Sequence, residues 1–226
     1  MPVQLPAEPL NFDERVRVPG LHALRILHQN PDDPPPNERF WKQRHQTQNG
    51  SWREKLDYWN RVRDDLCEGY NKRCVYSCFV IEPTRDSNGH VIGGEHCIDH
   101  FAPKSLNPAR EAFEWKNLRW CWNVINNKKD NSCINIDPAQ LMDMVVELEE
   151  DTKGRWMVIP ARKLNRFTPM EIQDAIDKLG LNSRVVINRR TKYAKDFIEN
   201  TYGYSDQEMA ERQPFVFREL RRLGRI

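Results

Sequence analysis

Asp99 and His100 stand side by side in HCIDHFAPKS (residues 96–105), at the end of a short apolar run and just before a proline. Further along the chain, Asn117 precedes Leu118, and Asn126 precedes Lys129 by three residues. These residue types can do hydrolytic chemistry. An imidazole with a pKa near 6.5 exchanges a proton near neutral pH. Asp and Asn oxygens suit a hard cation such as Mg2+ or Mn2+ better than zinc. Singly, each residue has an ordinary explanation. Asp99 can cap a turn, and Asn117 and Asn126 can be turn residues. What matters is whether local structure brings them into one place.

The stretch EHCIDHFAPKSLNPAREAFEWKNLRWCWNVINNKKDN (residues 95–131) supplies that structure. An apolar strand ends at Asp99-His100, a proline-containing loop follows, LRWCW reads as a second strand, and VINNKK reads as the first turn of a helix. The predicted order is strand, loop, strand, helix. Strand alternation puts His96 on the face opposite Asp99, so His96 is read as structural. Glu95 and His90 are left out of the site for the same reason of position.

The flanks give four segments. Residues 1–36 are predicted to be an irregular, proline-rich arm ending in NPDDPPP, unable to form a core of its own and so expected to order against another surface. Residues 37–73 are predicted to be helical. Ser51 and Glu54 fit a capping box, and Trp52, Leu56, Trp59, Val62, Leu66 and Tyr70 recur every three or four residues. That stripe is assigned to core packing rather than to base stacking. Residues 74–140 hold the central unit, whose early part (CVYSCFVI and HVIGGEHCI around DSNG) reads as short strands. Residues 141–226 are a hairpin (144–150 and 155–160) followed by helices. One opens at Thr168-Pro169-Met170-Glu171 and stops at Gly180, a second covers 184–201, and a third starts at Ser205 and is interrupted at Pro214. The fold class is α+β, with helical sections on either side of the central unit.

The 226 residues carry 35 Lys and Arg against 33 Asp and Glu, a formal net charge of +2. Such a balance neither demands nor excludes nucleic acid, so placement of charge decides. Arginine crowds the C-terminus in RELRRLGRI. No run reaches the length of a membrane span, and MPVQLPAEPLNFDERVR has no signal-like apolar core. With six cysteines kept as free thiols, a cytoplasmic protein is expected.

The sequence D-H-F-x-P-K-S, then W-x-N-L, then N-x-x-K over some 35 residues resembles the ββα-metal motif of HNH nucleases. The flanks, including IQDAIDKLGLNSRVVINRR, resemble the PtuB-like HNH proteins of Septu and retron anti-phage systems. The resemblance implies an HNH endonuclease that cleaves phosphodiester bonds, with DNA the expected substrate. It makes His100 the general base and Asp99 and Asn126 the ligands of one Mg2+ or Mn2+. It further implies that Asn117 pins the loop and orients His100, and that Lys129 and Lys104 face phosphate. It also implies an ABC-type ATPase partner. Many HNH proteins carry two C-x-x-C zinc knuckles. Here Cys74 and Cys78 form a C-x3-C, and Trp122 and Ile125 stand at the second pair of positions, so structural zinc is not expected. Trp115, Trp120 and Trp122 are expected to pack there instead. The rival readings are an RNA or tRNA nuclease, a stand-alone restriction-type enzyme, and a non-catalytic nucleic-acid-binding or assembly subunit.

Overall fold

The computed structural model describes residues 4–162 and 166–226. The first three residues of the proline-rich arm therefore lie outside the described residues. The arm itself is not irregular. A π-helical turn (Asp13–Arg17) runs into α1 (Val18–Ile26) without a break, and Pro19 lies just past the π turn. Phe12, Val16, Ala23 and Leu24 are fully buried in the common core. Further out, Trp115 Nε1 donates to the Pro6 carbonyl at 2.7 Å. The arm packs on its own chain because its apolar residues fall at helical spacing.

The helix expected from residue 51 does not form. A small hairpin stands there instead, β1 (His45–Gln46) paired antiparallel with β2 (Trp52–Arg53) around Gly50, whose φ is +80°. A 3-10 turn (Tyr58–Val62) and α2 (Arg63–Gly69) follow. Most of the predicted stripe is core, since Leu56, Trp59, Val62, Leu66 and Tyr70 are buried. Trp52 is the exception, at 61% exposed.

The C-x3-C segment is a turn, not a strand. Cys78 N donates to Cys74 O at 2.8 Å, and Val75 N donates to Trp120 O at 3.0 Å. A hairpin of β3 (Pro83–Arg85) and β4 (Val91–Gly94) comes next. The central unit has the predicted order. β5 (His96–His100) pairs antiparallel with β6 (Leu118–Trp122), with Asp99 opposite Arg119 and His100 opposite Leu118. α3 (Asn123–Lys129) follows with no intervening loop. All five residues of β6 are buried, so this hairpin is covered on both faces.

After the short α4 (Pro138–Gln140), the hairpin of β7 (Val146–Glu150) and β8 (Trp156–Pro160) appears as expected. The helices α5 (Pro169–Leu179), α6 (Arg184–Ile198), α7 (Asp206–Arg212) and α8 (Pro214–Arg222) complete the chain. Thr168 with Glu171 and Ser205 with Glu208 form complete capping boxes. Pro214 restarts a helix at its first turn. No helix among the described residues is long and apolar enough to cross a membrane.

One close approach joins the N-terminal helix to the site. Gly20 lies against the ring of Phe113, where a Cβ would fall 2.4 Å from a ring carbon. Phe113 ends the 3-10 turn (Ala109–Phe113) that faces His100. In an unhindered helix interior, Gly→Ala gains up to about 1 kcal/mol. Here overpacking should outweigh that gain, so Gly20→Ala is expected to lower stability by roughly 1–2 kcal/mol. Chemical denaturation monitored by circular dichroism measures it, and an unchanged or higher midpoint would count against the contact.

Candidate active site

A cavity of about 650 Å³ opens where the end of β5, the first residues of its loop and the C-terminal half of α3 meet the 38–59 segment. Asp99, His100, Lys104 and Asn126 all line it. Three elements from different parts of the sequence thus converge at one end of the β5–β6 hairpin.

Asp99 is 5% exposed. Its Oδ1 accepts from Lys129 Nζ at 3.2 Å, and its Oδ2 accepts from the Tyr76 hydroxyl at 2.5 Å. Burial pushes the carboxyl up from its ordinary value, and the Lys129 ammonium and Tyr76 hydroxyl oppose that push. Lys129 is fully buried and also donates to the His100 carbonyl at 2.8 Å. Its expected place facing phosphate is therefore corrected. A buried ammonium needs an anion, and Asp99 supplies it. Tyr76 was not singled out from the sequence, because nothing local ties a tyrosine in a cysteine turn to a carboxylate 23 residues away.

His100 is buried with its ring edge-on to Trp59, centroids 4.6 Å apart. Its Nε2 lies 3.1 Å from the Ala112 carbonyl. A carbonyl can only accept, so Nε2 carries the proton and Nδ1 holds the lone pair. Burial first, and then the neighbouring Lys104 and Lys129 cations, hold its pKa well below the ordinary histidine value. The imidazole is accordingly neutral at pH 7.

Asn117 staples the loop. Its Oδ1 accepts from Ala102 N at 2.6 Å, and its Nδ2 donates to the carbonyls of Ala102 (3.1 Å) and Glu111 (3.0 Å). The backbone adds Phe101 N to Asn117 O at 2.9 Å. Both ends of the 101–116 loop are thereby tied, and Ala112 is held where His100 reaches it. Asn126 is half-buried on α3, and its side-chain amide has no protein partner among the described residues. Lys104 is half-buried, with Nζ 5.5 Å from the Trp59 ring centroid. Burial lowers its pKa, and Asp99 counters part of that.

His96 stacks on Trp120 at 4.1 Å and does not line the cavity. Cys74 and Cys78 are buried free thiols, and Phe79 beside them packs on Trp122. Trp115 packs elsewhere, edge-on to Phe12. Among the described residues, no group of three or more His, Cys, Asp or Glu is placed to hold a metal. The oxygen donors that line the cavity with Asp99 and Asn126 include the carboxylates of Glu38 and Asp57. Asp130 also lines the cavity, at φ +46° where it ends α3. No protein-family model, curated protein or solved structure matches the chain.

Two outcomes follow from this electrostatics. Lys129→Met strands a buried carboxylate and is expected to cost about 3–5 kcal/mol of stability, while the Lys129→Met, Asp99→Asn double variant recovers most of it. Urea denaturation of the four proteins gives the coupling, and additive costs would show that the pair is not coupled.

His96 provides a pH signature. Burial, and then Arg63, depress its pKa to about 4. Its neutral form is the folded one, so its contribution is complete above about pH 6.5 and is lost as pH falls from there towards 4. Unfolding free energy should decline across that window, and His96→Phe should flatten the decline by roughly 1–3 kcal/mol. Identical slopes in the two proteins would remove His96 as a source.

Proposed function

We propose that this chain is an HNH-type endonuclease that hydrolyses phosphodiester bonds with one Mg2+ or Mn2+, DNA being the favoured substrate. The observation that carries the reading is the placement of His100. One ring nitrogen is committed to the Ala112 carbonyl, and the imidazole stands on the wall of a cavity that Asp99 and Asn126 also line.

The donor set fits a hard divalent cation. Each Asp99 oxygen keeps a lone pair beyond its bond to Lys129 or Tyr76, and the Asn126 amide is unpartnered. Bound there, the cation would offset charge developing on the phosphate and the leaving oxygen. His100 Nδ1 takes the proton from the attacking water, and the Ala112 carbonyl stabilises the imidazolium through Nε2. Asn117 keeps that carbonyl in place by fixing the loop. Lys104, on the cavity wall, is the cation that meets phosphate. Lys129 acts one step back, by neutralising Asp99 and holding the His100 backbone.

Structural zinc plays no part in this reading. The cysteine turn is tied to β6 by the Val75–Trp120 hydrogen bond and by aromatic packing. A cytoplasmic setting, a role in anti-phage defence and an ABC-type ATPase partner rest on the sequence resemblance alone and belong to the same proposal. A non-catalytic assembly subunit is the second reading, favoured by the engagement of both Asp99 oxygens within the protein.

His100→Ala separates the two readings. It should reduce divalent-dependent plasmid nicking by on the order of 10²–10⁴ while the protein stays folded. Chelation should abolish wild-type nicking, and Mg2+ or Mn2+ should restore it. Wild-type protein that nicks neither DNA nor RNA with either cation, or a fully active His100→Ala variant, would overturn the nuclease reading.

A further inference from the structure

The β1–β2 hairpin stands on the rim of the cavity. Its feet, Lys42 and Lys55, both line that cavity, and Leu56 N donates to Trp41 O at 3.0 Å to close the base. The two faces of the hairpin differ. His45 and Arg53 are paired and face inward. His45 is buried with Nε2 2.8 Å from the Tyr58 hydroxyl, and Arg53 lies over the Tyr58 ring and on Asp57 at 2.7 Å. Trp52 faces the other way. The Arg44 guanidinium sits 4.8 Å above one face of its ring.

That exposure is out of character for this chain. The six other tryptophans are all 8% exposed or less, against 61% for Trp52. Apart from Arg53, which Asp57 holds, the cations around it are also unmatched. Between residues 42 and 55 there are four cations (Lys42, Arg44, Arg53 and Lys55) and one acid, Glu54. Lys42 and Lys55 are exposed and, with Arg39 beside them on the rim, have no carboxylate partner among the described residues. The C-terminal arginines differ. Arg221, Arg222 and Arg225 are paired with Asp206, Glu147 and Glu150. Cations left without acids beside an open aromatic face complement a polyanion that carries flat rings.

We propose that this hairpin holds single-stranded nucleic acid, with an unpaired base stacked on the open face of Trp52. The phosphates on either side run past Arg44, Lys42 and Lys55 towards the cavity. In a duplex the base faces are stacked on one another, so the contact selects unpaired segments. The inference rests on the nuclease reading for what happens to the strand afterwards, and binding itself needs no catalysis.

The test is fluorescence anisotropy of the full chain in EDTA, where no cleavage occurs. The probes are a labelled oligothymidine 20-mer and a labelled duplex of equal length, both at physiological salt. The wild type should bind the single strand more tightly. Trp52→Ala should weaken that binding roughly tenfold and leave duplex binding unchanged, while Trp52→Phe keeps most of the affinity. Lys42→Ala with Lys55→Ala should reduce the slope of log affinity against log salt by about 1.4. Oligothymidine should quench tryptophan fluorescence in the wild type and not in Trp52→Phe. Because Trp52 is exposed, all variants should keep the wild-type thermal midpoint, and fluorescence quenching judges the contact without any affinity variant. Unchanged single-strand binding by Trp52→Ala, tighter binding of duplex, or no quenching would overturn the proposal. Trp52-dependent binding without any nicking would sustain it and overturn the nuclease reading. Nicking with Trp52-independent binding would do the reverse.

Discussion

The buried Asp99–Lys129 pair is the constraint around which the central unit is built. An ionised carboxylate 5% exposed and an ammonium with no exposure are each costly alone. Together they need a defined geometry, and three elements supply it. β5 carries Asp99 one residue before its end, α3 ends at Lys129, and the cysteine turn delivers Tyr76. A pair of apolar residues of similar size would hold such a junction as well or better, since desolvation offsets much of the attraction in a buried pair. What apolar residues would not give is register. Lys129 reaches the His100 carbonyl as well as Asp99, so a slip of α3 or β5 by one residue breaks two polar contacts at once. The pair thus fixes where the backbone of His100 sits, and packing against Trp59 fixes its ring.

A second ring of interactions sets the chemistry of that imidazole. The Ala112 carbonyl is useful only if the 101–116 loop is rigid, and Asn117 ties both ends of it. Phe113, next to Ala112, is wedged between Gly20 of α1 and the tyrosine–tryptophan cluster of Tyr58, Trp59 and Trp41. An N-terminal segment rich in proline therefore bears on the tautomer of a histidine some 80 residues away, through one glycine.

How far this was legible in the sequence depended on whether the signal was local. Capping boxes at Thr168 and Ser205, proline at the first turn of α5 and α8, and the apolar runs of β5 and β6 are local, and those elements stand where the pattern put them. Residues 51–70 misled because a Ser-x-x-Glu and apolar spacings of three and four also arise when a hairpin foot runs into a 3-10 turn. Leu56 and Trp59 are buried either way, and only Trp52 betrays the difference. The N-terminal helix was obscured by prolines that lie before and after it, while Pro19 lies just past the π turn. The convergence of Asp99, His100 and Asn126 on one cavity was foreseeable from the strand–loop–strand–helix order. The burial of Lys129 was not, because spacing says which face a residue takes and not whether an acid waits there.

Charge shows the same limit in another form. A net charge of +2 suggests an indifferent surface, and the run of C-terminal arginines suggests that its basic part lies there. The fold reverses the second impression. Asp206, Glu147, Glu150 and the buried Glu219 absorb those arginines into the junction of α8 with α7 and β7. Surface ion pairs of this kind add little stability, about 0–1 kcal/mol each, but they remove positive potential from that end of the molecule. Among the described residues, Arg39, Lys42, Lys55 and Lys104, which line the cavity, have no carboxylate partner. Those cations are available to a polyanion approaching the cavity, so overall charge balance is no argument against a nucleic-acid substrate.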